Sequence, residues 1–207
     1  MNPYDFKTIK LVAGAGTPET GGCWMSALSV YGGERWSDHP DCVCPVIREL
    51  CIAINDSLPD DETRGRVIGP VLFDPLGTRT SDPTVMMERT RILVDAAVNV
   101  WGPIDPDAAR SAQDAAIAIT FGGDPMREDG PVEHAVAAAD IVATESWLVA
   151  HASVVYPKGT AAGDAARERF IADHVLPVLL RMIAVGDKRP VERACSVEAF
   201  GRAVQTL

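Results

Sequence analysis

Residues 42–62, CVCPVIRELCIAINDSLPDDE, decide how the rest of the chain is read. Val43, Val46, Ile47, Leu50, Cys51 and Ile54 recur at the i, i+3, i+4, i+7 spacing that lines one face of an α-helix. Pro45 falls in the first turn, where a missing N–H costs nothing. Asn55-Asp56-Ser57-Leu58-Pro59-Asp60-Asp61 then reads as a helix stop followed at once by a helix start. Ser57 is the expected cap of that next helix, with Asp60, Asp61 and Glu62 near the positive end of its dipole.

The same grammar runs outward in both directions. Cys23 to Tyr31 reads as a short helix closed by Gly32-Gly33, and Gly69-Pro70 ends or kinks the helix that follows Ser57. Asp82-Pro83 opens a helix whose face holds Met86, Met87, Leu93, Val94, Ala97, Val98 and Trp101 until Gly102-Pro103. Asp105-Pro106 opens an alanine-rich helix closed by Gly122-Gly123, and Pro131 starts another that runs towards Val155. Ala161 to Val185 is a long segment that Pro177 should kink and Gly186 should cap, and Ser196 to Val204 is a last short helix. Strand alternation is almost absent. The expected fold is mainly α: one compact helical domain of seven or eight helices over residues 23–207, with a weak division near 122–130 as an option. Residues 1–22 form an irregular N-terminal arm, in which Thr8 to Ala13 are extended and Gly14 to Gly22 make a flexible loop.

That loop follows an extended stretch and precedes a helix, as phosphate-binding turns do. It lacks the Gly-Lys-Ser/Thr ending, and Glu19 stands where the third glycine of G-x-G-x-x-G belongs, so phosphate binding is not expected.

The 207 residues carry 29 acidic and 19 basic side chains, a formal charge of −10, with 47% hydrophobic residues. That apolar fraction builds a core and excludes wholesale disorder. The acidic excess is even: 15 acidic and 9 basic residues in 1–105, 14 and 10 in 106–207. Duplex nucleic acid needs clustered cations to displace its counterions, so direct binding to it is not expected. The closest cations, Arg64 with Arg66, Arg89 with Arg91 and Arg167 with Arg169, read as solvated helix faces. The longest apolar run, Val175 to Val185, is broken by Pro177 and Arg181 and falls short of a membrane span. The start Met1-Asn2-Pro3-Tyr4-Asp5 has no signal-peptide character. Five cysteines, at 23, 42, 44, 51 and 195, are an odd number without disulfide-scaffold density, so free thiols in the cytoplasm are expected.

Residues 21–62 stand apart, with four of the five cysteines, two of the four tryptophans and His39. Cys23-Trp24-Met25, Ser37-Asp38-His39-Pro40, Cys44-Pro45-Val46-Ile47 and Asn55-Asp56-Ser57-Leu58-Pro59-Asp60-Asp61 follow one another there. This series resembles a family of short proteins of actinobacteria and their phages to which no activity is attached. The resemblance covers about 45 residues, roughly a fifth of the chain. It implies a helical fold and a phage or actinobacterial setting, and neither a reaction nor catalytic residues.

Three chemistries compete for this segment. In the first, Cys23 is a nucleophile. A Cys-Trp pair after glycine at a helix N-terminus is similar to the nucleophile position of papain-like hydrolases, and helix N–H groups favour a thiolate. The base would be His39, or His134 or His151 if the fold delivers one, but no Gln precedes Cys23 at the usual interval. In the second, Cys23, His39, Cys42 and Cys44, with Cys51 nearby, hold a zinc ion. The C-x-C spacing is tighter than a usual pair of zinc ligands, and Cys51 falls on the core face. In the third, the motif is structural: two capped junctions hold three helices at fixed angles. The third is the leading expectation, and it leaves room for a binding site. Such a site would draw on Cys23, Trp24, Trp36, Asp38 and His39 at one junction and Asn55, Asp56, Asp60 and Asp61 at the other.

Elsewhere the residues read as structural. His151 and His174 lie inside helices, Met86 and Met87 are core, and Asp140 and Glu145 lie too far round one helix to form a carboxylate pair. The expected function is therefore non-enzymatic: a binding or regulatory factor, phage-encoded or phage-related, that acts on a host protein or sequesters a small ligand. No metal, cofactor or membrane is expected, and homo-oligomers are an option through exchange of the segment after Pro157-Lys158-Gly159. The alternative is a hydrolase or transferase that uses Cys23 with a histidine.

Overall fold

A computed structural model describes residues 10–97, 99 and 159–187. Among them the chain is mainly helical and contains no strand. The helices expected between 105 and 155 and after 196, the option of a division near 122–130, and His134, His151 and Cys195 lie outside the described residues.

α1 (Trp24–Tyr31) is buried on every side, so it runs through the core and not over it. α2 (Pro45–Ser57) packs against it with the expected face of Val46, Ile47, Leu50, Cys51 and Ile54. Leu58 precedes Pro59, which disfavours helical backbone at Leu58, and α2 ends at Ser57. α3 (Asp61–Ile68) follows almost immediately and passes into a 3₁₀ turn over Gly69–Val71, where Pro70 stops it. The expected cap is corrected here. Ser57 is the last residue of α2, and the extended Asp60 caps α3 by accepting the Thr63 N–H at 2.8 Å.

α4 (Pro83–Ala96) starts where Asp82-Pro83 predicts, with Asp82 accepting the Thr84 N–H. α5 (Ala161–Phe170) is capped by Thr160 and continues through a π-helical turn, Ile171–Val175, into α6 (Leu176–Ile183). The expected kink at Pro177 takes this form. Pro177 has no N–H to give to the preceding turn, and the widened turn, closed by Leu176 N–H to Ile171 C=O, absorbs the missing bond. Gly186 then leaves the helix at φ +79, tight against Val85. α4 packs along α6, and α2 touches both. No helix among the described residues is long and apolar enough to cross a membrane.

The reading of Arg64, Arg89 and Arg167 as solvated is overturned. Their exposures are 4%, 0% and 1%, whereas Arg66, Arg91 and Arg169 are exposed. Residues two apart on a helix point to opposite sides, so one arginine of each pair enters the core. There the cations meet main-chain carbonyls at helix ends. Arg64 donates to Asn55 O (2.9 Å) and Leu58 O (2.8 Å), and Arg167 donates to Ser57 O (3.2 Å). These are the orphan acceptors at the negative end of α2.

Candidate functional site

The N-terminal end of α1 is built on Gly21, Gly22 and Cys23. Cys23 is the N-cap: its Sγ accepts the Ser26 N–H at 3.4 Å and lies 3.4 Å from Ser26 Oγ. Burial pushes this thiol above its ordinary pKa, and the helix N–H groups of Ser26 and Met25 offset only part of that. The helix end expected to favour a thiolate is present, but desolvation outweighs it. His39 does not answer Cys23 either. It sits on an exposed loop with its Nδ1 2.6 Å from Asp38 Oδ1, while the carboxylate of Asp38 adds a further upward push on the thiol. No Cys23–His39 pair is formed, so among the described residues the nucleophile reading has no base; His134 and His151 lie outside them.

The zinc reading finds no cage. Among the described residues no three His, Cys, Asp or Glu side chains gather as ligands. Cys44 is the buried N-cap residue of α2, and Cys51 lies deep in the core with its thiol pKa pushed well up by burial. Cys42 packs beside Glu34, whose carboxylate accepts the N–H groups of Asp41 (2.6 Å) and Cys42 (2.7 Å). Burial and that carboxylate push the Cys42 thiol far up as well.

The two tryptophans have different roles. Trp24 is wholly buried, with its Nε1–H donated to Leu72 O at 2.8 Å, so it lines no surface pocket. Trp36 is half-buried and lies with its ring edge over Gly22, so close that a Cβ there would meet it. This brings Gly22, Cys23, Trp36 and Asp38 to one end of α1, while Trp24 is buried in the core and His39 faces solvent.

The second junction grips the arm. Asn55, buried in the last turn of α2, accepts the Trp24 N–H at 3.2 Å and donates from Nδ2 to Val12 O at 2.9 Å. Asp56 Oδ1 accepts the Gly14 N–H at 3.1 Å, and Asp61 pairs with Lys10 at 2.7 Å while it also holds Arg64. Ser26 Oγ donates to Ala15 O at 3.1 Å. Gly22 completes the hold, donating to Lys10 O (2.9 Å) and accepting from Val12 N (3.0 Å), as in a single parallel bridge. Gly21 must lack a side chain, because a Cβ would collide with the Lys10 carbonyl. Asp60 alone stays out of this network and serves as the α3 cap.

Lys10, Ser26 and the three buried arginines were not among the sequence candidates. For Arg89 a signal existed, since it lies on the stripe between Met86 and Leu93. No family model matches the chain, and searches of curated proteins and of solved structures return no match.

Proposed function

We propose that this is a non-enzymatic binding protein whose Cys23–Asp61 segment engages a protein partner. The observation behind this reading is the use made of the polar groups there. Asn55, Asp56 and Ser26 hold main-chain N–H and C=O groups of residues 12–15, while Cys23 is a buried thiol with a raised pKa and, among the described residues, no histidine beside it. That is recognition chemistry, not bond-breaking chemistry. The even acidic surface favours a basic protein over a phosphate backbone. The motif resemblance suggests a phage-related accessory factor that acts on a host protein in the cytoplasm.

Native mass spectrometry of the chain purified from its own host tests this. The expected spectrum contains a complex with a second protein, and Cys23→Ala leaves that complex in place. A bare chain in every preparation, or a covalent small-molecule adduct on Cys23 that disappears with Cys23→Ala, defeats the reading.

A further inference from the structure

Residues Lys10 to Ala15 are bound to the rest of the protein as a peptide ligand is bound. The contacts go mostly to the main chain: Val12 O to Asn55, Gly14 N to Asp56, Ala15 O to Ser26, and both Lys10 O and Val12 N to Gly22. Main-chain contacts of this kind provide affinity without reading sequence, as in strand-addition sites. Two side chains add selectivity. Leu11 is the one residue of the six that is buried, and it joins the core cluster; Lys10 places its ammonium on Asp61. Ala13, Gly14 and Ala15 are exposed and contribute only backbone.

The geometry points to a peptide groove, formed by Gly22, Ser26, Asn55, Asp56 and Asp61, that residues 10–15 occupy in cis and that an extended partner segment takes when this strap lifts. The partner's segment carries a basic residue immediately before an apolar one, followed by small residues. This deepens the binding reading above and rests on it. The strap is suited to leave. Among the described residues its side-chain anchors are one leucine and one surface ion pair, exposed pairs contribute little, its main-chain bonds are ones another peptide can replace, and positive-φ glycines at 14, 16 and 21 hinge it. The cis strap therefore works as a tethered competitor that keeps the groove closed until a better ligand arrives. Such a competitor acts at an effective concentration of order mM, so strap strength sets the threshold.

The test uses the full chain and a fluorescently labelled peptide of residues 8–16, TIKLVAGAG, followed by anisotropy. A variant with Lys10→Glu and Leu11→Ser loosens the strap without touching the groove. It is expected to bind the peptide about tenfold or more tighter than the wild type does, since the tethered competitor is weakened. A peptide with Glu in place of its lysine should lose that binding, because Asp61 then faces a like charge. The peptide series alters no residue of the protein, so folding cannot confound it. Equal binding by the wild-type and loosened chains, or equal binding of the Lys and Glu peptides, overturns the groove. If the peptide fails while the host complex persists, only the groove assignment falls and the binding reading stands.

Discussion

The guanidinium of Arg89, midway along α4, donates to the carbonyl of Val185 at 2.7 Å, beyond the last turn of α6 and 96 residues away in sequence. The same side chain donates to Thr78 O at 2.8 Å and Met182 O at 3.2 Å. One fully buried cation thus terminates α6 and pins the loop that precedes α4. An arginine suits this better than a lysine, because its planar fork presents several donors in fixed directions.

Arg89→Met keeps the volume of the side chain and removes all its donors. Three carbonyls then lose a partner in or near the core, and the expected cost is about 3 kcal/mol or more. Arg91→Ala, two residues on and facing solvent, should leave the urea midpoint where it is. Equilibrium unfolding of both variants decides the matter, and equal midpoints would show that the buried arginine carries no structural load.

These arginines also mark where the sequence was readable and where it was not. The helix ends were legible because their determinants are local: Pro45, Pro59, Asp82-Pro83 and Gly186 act on their own neighbours. The apolar stripe of α2 was legible for the same reason. Arg64, Arg89 and Arg167 were misread because their destination is a carbonyl on another element, which no local pattern encodes, although Arg89 sits on a core stripe. The site was partly legible. The motif picked out Asn55, Asp56 and Asp61, but what they hold, residues 10–15, lies more than 40 positions away. Cys23 was correctly placed at a helix start, but its burial in the core cluster is tertiary, and periodicity does not show it.

Asn55→Asp isolates the strap contact. The replacement keeps an oxygen to accept the Trp24 N–H but puts a second oxygen against Val12 O and beside Asp56. A donor becomes an acceptor, which costs roughly 2 kcal/mol at neutral pH. Protonation of the new carboxyl at low pH restores a donor, so part of the loss should return as pH falls. Limited proteolysis at neutral pH should cut the variant near Ala13–Thr20 faster than the wild type; equal rates would mean that Asn55 does not hold the strap.

The buried thiols give the fold an alkaline limit. Cys23, Cys42 and Cys51 all have pKa values raised in the folded state, from an ordinary value of 9.0. A raised folded pKa means that the unfolded chain loses the proton first. The stabilisation is therefore complete below the ordinary thiol value and is lost as pH rises from there towards the folded values. Stability measured in urea should fall between pH 8 and pH 10.5, and Cys42→Ala, at the half-buried position, should flatten that decline. A decline of unchanged slope in the variant would assign it to other groups.

Ser57 and Asp60 offer a paired test of which residue caps α3. Asp60 accepts the Thr63 N–H, and that bond holds its carboxyl below the usual aspartate range. Asp60→Ala should therefore cost about 1 kcal/mol, the usual value of an N-cap. The contribution of Asp60 is present above the ordinary aspartate pKa and fades as pH falls through the lowered one. Ser57→Ala should behave in the opposite way. The Ser57 hydroxyl is buried and has no hydrogen-bond partner among the described residues, so its removal relieves an unsatisfied group and leaves stability unchanged or higher. Thermal melts of the two variants at pH 7 separate the assignments: a lower midpoint for Ser57→Ala than for Asp60→Ala would return the cap to Ser57.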